Sequence, residues 1–147
     1  MATKIMHHTG ITVSDIAASI EFYEQLGFTR AFPDPQLVDE PWLGTVVGLE
    51  QPKILLMFVT MDDHRLELIQ YLGPRGKSAA DLAPNDIGSF HVAISVEDVN
   101  AEYERLRKLG VEFVSKPASV TTGNFAGLTA VYGRDPDGNI VELLSGI

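Results

Sequence analysis

The sequence predicts an α+β fold made of two copies of a βαβββ module. Three observations carry this reading. A set of landmarks recurs 83 residues further along the chain, an aspartate opens a helix-periodic run in each copy, and each copy ends on a glutamate set between two aliphatic residues. Self-similarity over so long a period is the mark of a repeated structural unit.

The landmarks are paired without a gap: His8 with His91, Val13 with Val96, Asp15 with Asp98, Ile16 with Val99, Leu26 with Leu109 and Gly27 with Gly110. Each copy starts with a short β-rich stretch, Gly10 to Val13 and Val92 to Val96. Asp15 and Asp98 are placed to cap the following helix, because a carboxylate accepts from the first free N–H groups. Ile16, Ile20 and Tyr23 recur at helical spacing, as do Val99, Tyr103 and Leu106. Gly27 and Gly110 stand where a left-handed residue ends a helix. Strand-like runs follow at Thr45 to Leu49, Lys53 to Val59 and Arg65 to Tyr71, and again at Glu112 to Lys116, Leu128 to Gly133 and Ile140 to Leu144. Asp135-Pro136-Asp137-Gly138-Asn139 is a turn between the last two. The modules span about residues 1–71 and 89–147, joined by a Gly- and Pro-containing stretch over about 72–88. Each half alone is small for burying a sheet face, so a single domain over 1–147 is expected.

Composition narrows the function. The chain has 147 residues, 45% of them hydrophobic, and a net charge of −9. Nucleic acid and anionic membranes both need clustered Lys and Arg, so neither is an expected partner. There is no cysteine, which removes disulfides, thiolate metal sites and cysteine nucleophiles. The segment Met1 to His8 lacks the apolar stretch of a signal peptide, and Ile54 to Val59 is too short to span a bilayer. A cytoplasmic protein is expected. Gly73 to Ser78 ends like a phosphate loop but has Tyr71 where that motif needs glycine, and no Gly-x-Ser-x-Gly elbow occurs.

The chemistry lies in the repeat. His8 and His91 open the two copies, and Leu66-Glu67-Leu68 and Val141-Glu142-Leu143 close them. Side chains alternate across a strand, so each glutamate points away from its aliphatic neighbours. Two imidazoles and two carboxylates converging on that face make a set for one divalent ion, whether nickel, cobalt, zinc, manganese or iron. His7 and His64 have no counterpart in the other copy and are expected to be ordinary surface or core residues. Phe32 to Trp42 and Ser119 to Gly127 are expected to be loops, and Trp42, Phe58, Phe90 and Phe125 candidates for an apolar pocket.

These residues resemble the vicinal oxygen chelate superfamily. The likeness is carried by His8 with Val13-Ser14-Asp15-Ile16, by Phe22-Tyr23, Leu26-Gly27-Phe28 and Leu66-Glu67-Leu68, by His91 with Val96-Glu97-Asp98-Val99, and by Asp135 to Leu143. It implies the glyoxalase/bleomycin resistance/dioxygenase fold, a curved and incomplete barrel, and a homodimer acting on a small molecule. It maps the metal ligands onto His8, Glu67, His91 and Glu142, either within one chain or across a dimer.

Four protein ligands leave two adjacent octahedral positions for two substrate oxygens, which suits Lewis-acid chemistry beside a carbonyl. A metal-dependent isomerase, epimerase or lyase is therefore expected, similar to glyoxalase I and methylmalonyl-CoA epimerase. The base is Glu142, as in glyoxalase I, or Glu50, which precedes Gln51-Pro52 and resembles the catalytic glutamate of the epimerases. Thr12 and Tyr71 stand near the places where glyoxalase I proteins hold glutathione through arginine and asparagine, which argues against glutathione. Two alternatives stay open. An extradiol-type dioxygenase would leave Glu67 off the metal, and a drug- or natural-product-sequestering protein would bind without turnover.

Overall fold

A computed structural model describes residues 3–78 and 81–146. Met1 and Ala2, which open the N-terminal segment, and Ala79 and Ala80, in the expected join, lie outside the described residues, as does Ile147. The chain forms two compact units, Met1–Lys77 and Ser78–Ile147, divided within the stretch expected to join the modules.

The first unit opens with strand β1 (Thr9–Thr12) and helix α1 (Ile16–Gln25). Asp15 caps α1 as expected, its carboxylate accepting from the amides of Ala17 and Ala18 at 3.0 and 3.2 Å. Gln70 adds a long-range cap, its side-chain oxygen accepting from the amide of Ile16 at 3.0 Å. The helix ends at Gly27 with φ +100°, a conformation that costs a residue with a Cβ. Strands β2 (Thr29–Arg30) and β3 (Gln36–Val38), helix α2 (Pro41–Val47) and the long hairpin β4 (Lys53–Met61) and β5 (His64–Gly73) follow. The sheet runs β1-β5-β4-β2, with β1 parallel to β5, the hairpin antiparallel, and β3 also paired to β4.

The second unit repeats the plan with β6 (His91–Ser95), α3 (Val99–Lys108), β7 (Glu112–Phe113), β8 (Ala118–Ser119), β9 (Thr129–Arg134) and β10 (Ile140–Ser145). Its sheet runs β6-β10-β9-β7, with β8 paired to β9. Asp98 caps α3 by accepting from Asn100 and Ala101 at 2.9 and 3.2 Å. Asp135, almost fully buried, holds the turn into β10. Its two oxygens accept from the amides of Asp137 and Asn139 and from the Asn139 side chain at 2.8–2.9 Å.

Each core lies between a helix and one sheet face. In the first unit Ile16, Ile20 and Tyr23 pack with Ile11, Met57, Val59, Leu66 and Leu68, and in the second Val99, Tyr103 and Leu106 with Ile94, Val131, Val141 and Leu143; all are buried. The expected two-module α+β architecture is thus present in two five-stranded sheets. One element differs. Thr45 to Leu49, read as a strand from its β-branched residues, lies largely within helix α2. The stronger signals are Pro41 at the first helical turn and Gly48, with φ +70°, at the end. Gly44 also fits this close turn, where a Cβ would come 2.8 Å from the carbonyl oxygen of Leu49. Similarly, the expected loop Phe32 to Trp42 contains β3 and the start of α2, and Ser119 to Gly127 contains a 3₁₀ turn at Gly123–Phe125. No helix among the described residues is long and apolar enough to cross a membrane.

Candidate metal centre

Strand alternation sets the orientation of both glutamates. Leu66 and Leu68 are buried toward α1, and Val141 and Leu143 toward α3. Glu67 and Glu142 therefore emerge on the opposite face. The neighbouring parallel strand brings the histidine. Gly10 is the cross-strand partner of Glu67 and Ala93 that of Glu142, so in each unit the histidine stands two residues before the glutamate's partner and shares its face.

The side chains meet accordingly. His8 Nε2 lies 2.7 Å from Glu67 Oε2, and His91 Nε2 lies 3.0 Å from Glu142 Oε2. Exposure is alike as well, at 35% and 38% for the imidazoles and 17% for both carboxylates, so solution reaches each pair over a half-buried acid. The structure brings the four predicted ligands together two by two, one pair to each unit. No third histidine or acid joins either pair in a group able to hold an ion among the described residues. Each pair sets one imidazole nitrogen against one carboxylate oxygen, both donor types that a first-row divalent cation takes.

An aromatic residue stands across from each glutamate. Phe58 is the cross-strand partner of Glu67, and Tyr132 that of Glu142. The Phe58 ring lies edge-on to His8 at 5.4 Å and to Phe32 at 6.3 Å. Tyr132 lies tilted against His91 at 5.0 Å. Burial pushes the Tyr132 hydroxyl above its ordinary range, and the negative Glu142 adds to the rise, so it stays a proton donor at neutral pH. Tyr132 is a candidate functional residue that the sequence reading missed. The signal was available, because an aromatic residue faces the glutamate across the closing hairpin in both copies.

Glu50 sits in an exposed bend between α2 and β4, with no hydrogen bond or ion pair among the described residues. Phe58 is at the His8–Glu67 pair, whereas Trp42, Phe90 and Phe125 are exposed. His64 lies exposed at the start of β5. His7, expected to be an ordinary residue, turns its ring onto His8, with the two Nδ1 atoms 2.7 Å apart.

Comparison with known proteins agrees with the fold. A 2-epi-5-epi-valiolone epimerase from an Actinomyces species is 30% identical over 95% of this chain and 78% of its own length. An ethylmalonyl-CoA/methylmalonyl-CoA epimerase from Cereibacter sphaeroides is 26% identical over 94% of this chain and 95% of its own. The crystal structure of a glyoxalase family protein from Bacillus cereus superposes with a TM-score of 0.85 at 26% identity, covering 99% of this chain and 97% of that one. The family model for the Glyoxalase/Bleomycin resistance protein/Dioxygenase superfamily matches residues 5–143, and the chain belongs to that superfamily.

Proposed function

We propose that this protein is a divalent-metal-dependent epimerase or isomerase that removes a proton beside a carbonyl of a small oxygenated substrate, with lyase chemistry as a variant of the same step. The observation that carries the reading is the duplicated pair, in which His8 meets Glu67 and His91 meets Glu142 in the same register and with the same exposure. That both units keep a complete pair supports four ligands rather than the two-histidine, one-carboxylate triad of an iron oxygenase. A divalent ion held through these histidines and glutamates would supply Lewis acidity toward the substrate carbonyl. Two of the relatives described above are epimerases, which supports the same class.

The protein's own groups then divide the work. Glu142 is the favoured base, since it stands beside His91 and the protonated Tyr132 hydroxyl, while Glu50 lies in an exposed bend. A carboxylate within reach of the α-proton removes it, and a proton delivered to the opposite face of the enolate by a second acid or by water completes an epimerisation. The Tyr132 hydroxyl, across the strand pair from Glu142, would donate toward oxygen as negative charge develops.

The test is metal content together with solvent exchange. Purified protein is expected to hold one divalent ion per chain. His8→Ala, Glu67→Ala, His91→Ala and Glu142→Ala are each expected to weaken binding by more than the roughly hundredfold seen for loss of an outer partner. Turnover in deuterium oxide is expected to label the substrate α-carbon. Two ions per chain, unchanged binding in the ligand variants, or oxygen uptake without label would each overturn the proposal.

A further inference from the structure

The first unit contains a row of hydrogen-bonding groups that has no counterpart among the described residues of the second. Arg65 Nη1 lies 3.3 Å from His7 Nε2, His7 Nδ1 lies 2.7 Å from His8 Nδ1, and His8 Nε2 lies 2.7 Å from Glu67 Oε2. Adjacent residues of an extended chain usually point to opposite sides. Here both rings lie edge-on to Phe58, at 6.3 and 5.4 Å, so the two reach the same aromatic ring.

One placement of protons satisfies the whole row. A guanidinium only donates, so His7 Nε2 accepts. Neutral His7 then carries its proton on Nδ1 and donates to His8 Nδ1. His8 is left with its proton on Nε2, where it donates to Glu67. In the second unit Phe90 precedes His91, and Ile140 is the cross-strand partner of His91. Neither side chain has a donor or acceptor, and His91 rests on Tyr132 instead.

We propose that His7 is a positioning residue that holds the Nδ1 side of His8, aiming Nε2 at Glu67 and at a divalent cation held by that pair. The inference rests on the reading of His8 and Glu67 as metal ligands. A ligating imidazole is fixed in tautomer and orientation by what its second nitrogen meets. When His8 Nε2 gives its lone pair to a cation, the ring proton sits on Nδ1. His7 Nδ1 then accepts and carries its own proton on Nε2. The two rings keep two protons, and only the Arg65 contact is given up.

Three variants test this in the full chain. His7→Phe copies the second unit, His7→Asn keeps an amide near the Nδ1 position, and His7→Gln moves the amide toward the Nε2 position. Cobalt(II) affinity is measured by competition with a chromophoric chelator. His8 ring nitrogens are followed by ¹⁵N NMR in chelator-treated protein. His7→Phe and His7→Gln are expected to weaken cobalt binding about tenfold or more, while His7→Asn stays within about threefold of the parent. The parent is expected to show His8 protonated on Nε2 alone, and His7→Phe a mixture of tautomers. Cobalt affinity unchanged in His7→Phe, or lowered as far in His7→Asn, overturns the proposal. If the parent binds no cobalt, the metal reading of the pair fails. The His8 tautomer then still decides: a single Nε2 form lost in His7→Phe upholds the hold by His7, and no change rejects it.

Discussion

The two units share a framework and differ in what surrounds the same two side chains. Cap, helix, strand order, buried leucine and His–Glu pair correspond one to one. Around the pair the first unit places a hydrocarbon ring, a second imidazole and a guanidinium, and the second places a phenol. The strand pairs behind the site also differ. Arg30 pairs with Val59 in the first unit, whereas Phe113 pairs with Gly133 in the second. A Cβ at Gly133 would come 3.1 Å from the Phe113 ring, so the bulk lost on one strand is supplied by its neighbour. The comparison teaches that backbone register fixes where the ligands emerge, while the surrounding side chains are free to give each pair a different task.

The equivalence of the two units can be broken by substitution, most severely in the core. Leu68 and Leu143 are 0% and 2% exposed and stand beside the two glutamates. Leu68→Ala and Leu143→Ala are each expected to cost about 3 kcal/mol, read from urea unfolding. A cost that differs by more than about 2 kcal/mol between them would break the equivalence of the two cores.

The helix caps come next. Asp15→Ala and Asp98→Ala are each expected to cost about 1 kcal/mol in the same measurement. Asp15→Ala should be the milder, because Gln70 still accepts from the amide of Ile16. A larger loss in the first unit would show that this long-range contact does not secure the helix.

The smallest effect isolates the phenol. The folded protein raises the Tyr132 pKa above its ordinary value of 10.0, through burial first and Glu142 second. Well below pH 10 the hydroxyl is protonated in both folded and unfolded chains and has no influence on the pH slope. As pH rises through the raised value, the unfolded chain releases the proton first and stability declines. Unfolding midpoints measured from pH 9 to 11 are expected to show a small decline that Tyr132→Phe removes. An identical slope in the variant would mean that another group titrates there.

Much of the fold was legible because its signals are local. Asp15 and Asp98 cap because a carboxylate one residue ahead of a helix reaches its free amides, whatever lies elsewhere. Gly27 and Gly110 stop helices for an equally local reason, and the alternation around Glu67 and Glu142 needs only a strand. Thr45 to Leu49 shows the limit. Its β-branched residues favour a strand, yet Pro41 and Gly48 close a helix around them. Helix signals at the two ends outweighed side-chain preference in the middle.

The sequence by itself determined the repeat, the caps and the identity of the four candidate ligands, because these depend on spacing along one strand or helix. Only the tertiary structure decided which ligand meets which. His8 and Glu67, like His91 and Glu142, lie more than 50 residues apart, and they become neighbours through parallel pairing of β1 with β5 and of β6 with β10. The same is true of Tyr132 and His7. A phenol becomes a neighbour of Glu142 through cross-strand register, and the imidazole next to His8 in sequence becomes its partner because both rings reach Phe58.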